Sequence, residues 1–161
     1  MRKLPVPVSV LVVLGVVIAL GMRLPDPVAT HFGISGAPDS WMPRRALLAL
    51  MATLVSVVPL SIWLGAMWAA ATGNANIPNA DFWLAPERQE STSHYLVGYA
   101  MVLAVVTALF LGYNFLLLWL ANAHGAVAAR LHMPLFLAGL CAYMLFTTGS
   151  LVVLVLRFRL P

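Results

Sequence analysis

The chain has 161 residues, 62% hydrophobic and only 9% charged, with a formal net charge of +4. A soluble domain carries about 25% charged residues, so water cannot be the solvent for most of this chain. Its basic residues are scattered at the ends of apolar stretches, with no basic run and no basic–aromatic interleaving, which argues against nucleic acid and for lipid headgroups.

A helix that crosses a bilayer needs about 20 apolar residues. Four stretches qualify: 4–22, 46–71, 95–121 and 134–156, and none contains Asp, Glu, Lys, Arg or His. The composition and these stretches predict an all-α integral membrane protein. A single domain of four transmembrane helices is expected, with a small extracytoplasmic loop or hairpin between the first and the second. The first stretch follows Arg2 and Lys3 and ends in small residues at Ala19–Gly21, which resembles a secretory signal. Its length favours an uncleaved helix, and Pro5 and Pro7 fall in the first turns, where a missing N–H does least harm.

The segment 24–45, "LPDPVATHFGISGAPDSWMPRR", breaks the pattern. Four prolines and two glycines exclude a long helix. "VATHF" alternates like a strand and "SGAPD" has turn chemistry, so a hairpin is expected. It brings His31 and Asp39 onto adjacent strands, and Phe32 and Trp41 suit the headgroup layer. The second span carries Pro59 at mid-length, where a kink is expected. It ends with Gly65, Ala69 and Gly73 at four-residue spacing. The third span carries Ala100, Ala104, Ala108 and Gly112 at the same spacing. Small-residue stripes let helix backbones approach in lipid, within one subunit or, in the sharper reading, across a homo-oligomer. Asn114 is expected to find a partner on another helix. Cys141 lies in the fourth span as a lone thiol, expected to be inert packing.

The loop 74–93 contains "NIPNADFWLAPERQE". Here "IPN" sets a turn, "DFW" is a charged and aromatic anchor, and Ser91 or Ser93 would cap the third helix. Glu87, Arg88 and Glu90 are placed to pair locally or with a partner. Four spans put both termini on one side, with Arg2, Lys3, Arg88, Arg157 and Arg159 there against Arg23, Arg44, Arg45 and Arg130 opposite. The excess, with two of the charges at the N-terminus itself, predicts cytoplasmic termini.

The first loop resembles a bacterial membrane domain of unknown function. In that family a Pro, a His–Phe or His–Trp pair, then Gly, Pro–Asp and Trp follow a first transmembrane helix. The matching positions are Pro25, His31, Phe32, Gly36, Pro38, Asp39 and Trp41. Gly33 stands where the family often has Asn, and Arg44 where it often has Lys. Asn79, Asp81, Trp83, Glu87 and Arg88 match a second segment common in four-helix members, with Ile77, Ala80 and Phe82 as departures. The same domain occurs in longer immunity proteins that protect Bacillus cells from a sporulation-delaying toxin peptide. The resemblance implies a bacterial inner-membrane protein with an immunity, sensing or accessory role. It further implies recognition of a peptide toxin or a membrane-protein partner through His31, Phe32, Asp39, Trp41, Asn79, Asp81, Trp83, Glu87 and Arg88.

No nucleophile elbow, phosphate-cradling loop or compact metal motif is present, so an enzyme and a cofactor are not expected. The rival reading is a metal-dependent membrane enzyme, with His31, Asp39 and His124 or His132 as ligands. A third is a structural subunit of a larger membrane complex. A transporter would carry ionisable residues within its spans, and this chain carries none there.

Overall fold

The computed structural model describes residues 5–159, so Arg2 and Lys3 of the orientation argument lie outside the described residues. In chain order the elements are α1 (Pro5–Gly21), β1 (Val28–Phe32), β2 (Pro38–Met42), α2 (Arg44–Thr72), α3 (Ala80–Trp83), α4 (Pro86–Ala121) and α5 (Met133–Arg159). Among the described residues, α2, α4 and α5 are long and apolar enough to cross a membrane, and α1 is a shorter apolar helix of 17 residues. This is the pattern of a multi-pass membrane protein.

The core lies between α1, α2 and α4. Helix α1 buries Val6, Val10, Val13 and Val17, a single stripe at three- and four-residue steps. From α2 come Leu47, Val55 and Pro59, and from α4 the stripe Ala100, Ala104 and Ala108 together with Phe115. The alanine stripe therefore faces other helices, as its spacing predicts. Gly112 continues it: a Cβ there would stand 3.0 Å from Val13 Cγ1, so the missing side chain sets how closely α1 approaches. Helix α2 continues through Pro59, which is buried.

Several expectations are corrected. The stripe Gly65/Ala69/Gly73 is a helix contact only in part: Gly65 is exposed in open space, whereas Ala69 faces Leu96 and Ala100 of α4 across a shallow gap and a Cβ at Gly73 would stand 2.8 Å from Gln89 Nε2 of α4. Gly73 ends α2 in the left-handed conformation, φ 66°, with its N–H bonded to Ala69 O. Asn114 donates to Phe110 O on its own helix, at 2.7 Å, and among the described residues it bonds to no other helix. Cys141 is exposed on α5.

Helix α4 begins at Pro86, well before residue 95, and neither Ser91 nor Ser93 caps it. Ala85 holds the cap position with Pro86 in the first turn, and Ser91 Oγ donates back to Arg88 O at 2.9 Å. Proline's fixed φ starts a helix without losing a needed N–H, and Glu87 complements the positive end of the helix dipole. At roughly 1.5 Å per residue the 36-residue helix is about 54 Å long, against a hydrocarbon layer of about 30 Å. Its polar first turns thus extend beyond the apolar layer.

Helix α5 packs chiefly on α4, through an aromatic and hydroxyl seam. Tyr143 stacks on Phe110 with centroids 4.1 Å apart, and its OH lies 3.0 Å from Thr107 Oγ1. Tyr99 OH and Ser150 Oγ are 3.3 Å apart. Tyr113 OH donates to Leu135 O at 2.7 Å, its ring lying where a side chain on Gly139 would stand.

Candidate functional site

Strands β1 and β2 form the expected antiparallel hairpin, pairing Val28 with Met42, Ala29 with Trp41, His31 with Ser40 and Phe32 with Pro38. The register slips between Ala29 and His31 and again between His31 and Phe32. Such bulges re-aim side chains. Here His31 Nδ1 and the Asp39 carboxylate meet in a hydrogen-bonded ion pair, the one ion pair among the described residues. The turn closes through Gly33 N–H to Ala37 O and Gly36 N–H to Gly33 O. Gly36 has φ 77°, and a Cβ there would collide with Leu131 O, so this position admits glycine on two counts.

One edge of the hairpin is buried and the other stands free. Val28 and Ala29 have no exposed surface. The Asn122 side chain, at the end of α4, accepts from Ala29 N–H and donates to Ala29 O, both at 3.0 Å. A primary amide thus pairs with a peptide unit as another strand would. Leu131 N–H donates to Gly36 O at 3.0 Å, and Trp41 Nε1 donates to Ala126 O at 3.2 Å. Arg44 donates to Leu24 O at 2.9 Å, near the exit of α1, and its own N–H meets Asp26 Oδ1 at 3.1 Å. The hairpin is therefore fastened to the α4–α5 turn and to the exit of α1. Outward it shows His31, Asp39, Trp41 at 44% and Ile34 at 95% exposure, while Phe32 is half-buried.

The loop 74–93 gathers at the opposite end, around the close of α5. Asn79, itself left-handed at φ 52°, donates through Nδ2 to Phe158 O at 3.0 Å and Arg159 O at 2.7 Å. Trp83 Nε1 donates to Phe158 O at 3.1 Å, and its ring meets Phe158 edge-on at 5.4 Å. The last carbonyls of a helix lack partners within it, and this strap supplies them. Thr92 Oγ1 donates to Trp83 O, which ties the strap to α4. Arg88 pairs with neither Glu87 nor Glu90. Its guanidinium lies over the Phe82 ring at 3.9 Å and donates to Phe82 O at 3.3 Å. Asp81 and Glu87 are exposed.

The nine residues thus fall into two separate groups, His31, Phe32, Asp39 and Trp41 at one end and Asn79, Asp81, Trp83, Glu87 and Arg88 at the other. The rival metal set does not assemble: among the described residues no three His, Cys, Asp or Glu side chains converge. His132 stands just before α5 and accepts Leu135 N–H on Nδ1 at 3.3 Å. Sequence reasoning passed over Asn122, whose only signal was an amide closing a long apolar run.

No curated protein and no solved structure matches the chain. One family model does match, over residues 8–55, taking in most of α1, the whole hairpin and the start of α2 and stopping short of the strap. By its description this stretch is similar to a domain of unknown function, DUF1648, and the likeness brings with it no activity and no link to toxin immunity.

Proposed function

We propose that the protein is a binding protein of the bacterial inner membrane, crossing it four times with both termini in the cytoplasm. Its hairpin is a preformed recognition surface on the outer face. The reading rests on one observation: the start of β1, Val28 and Ala29, is fully buried and locked by Asn122, while Ile34, Trp41 and the His31–Asp39 pair toward the hairpin's far end stand exposed. Ordering a loop on binding costs free energy, and a loop already fixed avoids that cost. The occupant is a peptide or a membrane-protein partner, consistent with an immunity, sensing or accessory role. Exposed aromatic and aliphatic side chains beside a hydrogen-bonded His–Asp pair suit such a partner.

Photo-crosslinking residues placed at Ile34 and Trp41 in cells test this. A discrete protein or peptide adduct, weakened by Asp39→Asn, is expected. Adducts to lipid alone would overturn the reading. A reporter fused to the C-terminus tests the orientation, with activity expected from a cytoplasmic reporter and none from a periplasmic one.

A further inference from the structure

We infer that the seam between α4 and α5 holds an acyl chain of an anionic phospholipid, whose phosphate is seated at Arg157. Near the strap end the two helices part around a groove of about 400 Å³, lined by His94, Tyr95, Tyr99, Val102, Phe146 and Ser150 among others. Its walls are almost wholly apolar, and its two inner hydroxyls, Tyr99 OH and Ser150 Oγ, already bond each other. From His94 to Val102 the groove runs about 12 Å along α4, within the depth of one bilayer leaflet of about 15 Å.

The charge sits at one end of this apolar slot. The Arg157 guanidinium lies over the Tyr95 ring, 4.0 Å from its centroid, and Tyr95 is a groove wall. Among the described residues Arg157 has no carboxylate partner, the one ion pair being His31–Asp39 at the far end of the molecule. A guanidinium held flat by a ring keeps its edge donors for a planar or tetrahedral oxyanion. A cation at the mouth and an apolar slot below it match an amphiphile with an anionic head. The groove is too small for a second copy's helix, about 10 Å across. A peptide's backbone would enter with most of its polar groups unmatched, because the hydroxyls of Tyr99 and Ser150 bond each other and the rest of the deep lining is apolar.

Native mass spectrometry of the full-length protein, released from nanodiscs holding equal phosphatidylglycerol and phosphatidylethanolamine, tests the inference. The wild type should retain one phosphatidylglycerol in preference. Arg157→Gln should cut that retention about fivefold, the change that corresponds to about 1 kcal/mol per cation facing an anionic lipid surface. Arg157→Lys should keep most of it. Val102→Trp fills the slot and should abolish retention, whereas Leu145→Trp, at an exposed position outside the groove, should not. Equal retention of the two lipids by the wild type would overturn the inference. So would phosphatidylglycerol retention unchanged by Arg157→Gln, or a dimer that Val102→Trp dissolves while the lipid count stays constant. The outcome is independent of the hairpin reading, since crosslinking from Ile34 and Trp41 probes the opposite end.

Discussion

The side chain of Asn122 makes both of its paired hydrogen bonds to the backbone of Ala29, 93 residues earlier in the chain. Both residues are almost wholly buried, Asn122 at 2% and Ala29 at 0% exposure. The contact fixes where the hairpin stands on the helices. Asn122→Ala should leave a buried N–H and a buried C=O unpaired, at about 1–3 kcal/mol each. Asn122→Asp keeps the acceptor but sets a buried carboxylate oxygen against Ala29 O, so it should cost at least as much as Asn122→Ala. Thermal unfolding in detergent checks the order. Equal stability of all three proteins would mean that the hairpin is held elsewhere.

The His31–Asp39 pair should behave differently. Its side chains are 72% and 51% exposed. Exposed pairs contribute roughly 0–1 kcal/mol. His31→Ala and Asp39→Asn should therefore lower stability little, and the double variant should be scarcely worse than either single one. A double-mutant cycle on unfolding measures this. Fully additive losses would show two residues acting separately.

The alanine stripe of α4 gives a packing prediction. Ala104 has no exposed surface, and replacing it with Leu forces bulk between helices at a cost of typically about 1–3 kcal/mol. Its neighbour Val105 also packs against the core, so a control must lie elsewhere on the helix. Leu109, 54% exposed, is such a position, and Leu109→Val should change the melting temperature far less than Ala104→Leu.

At the other end, Trp83→Phe keeps an aromatic ring against Phe158 and removes the indole donor to Phe158 O. The expected loss is about 0.5–1.5 kcal/mol. Asn79→Ala removes two donors from the last carbonyls of α5 and should fray that end. Hydrogen exchange should quicken at the close of α5 in both variants, with α1 and α2 unchanged.

The helices were legible because lipid demands long uncharged runs, and the hairpin because Pro, Gly and strand-like alternation leave few alternatives. The alanine stripe was legible because small residues at four-residue spacing have one evident use. The start of α4 was obscured because Glu87, Arg88, Gln89 and Glu90 read as a polar loop, although they are good helix formers and Pro86 marks the first turn. The work of Asn79 and Trp83 was hidden by distance: their partner carbonyls lie 75 or more residues away, and backbone carbonyls carry no sequence signal. Gly65 misled because spacing alone does not say which side of α2 a neighbour occupies. Of the candidate residues, the expected hairpin placed His31 and Asp39 on adjacent strands, and the bulged register shows how they meet.

Helix α5 is held at both ends as well as along its seam with α4. Its approach is pinned by Leu131 to the hairpin turn, and its close is gripped by Asn79 and Trp83. Between them lies a seam of aromatic rings and hydroxyl bonds rather than a deep core. It resembles a rod in two sockets, one at each end of the helix. The length of α5 is therefore matched to the distance between the sockets, and one residue more or fewer within it would shift its last carbonyls by about 1.5 Å from their donors.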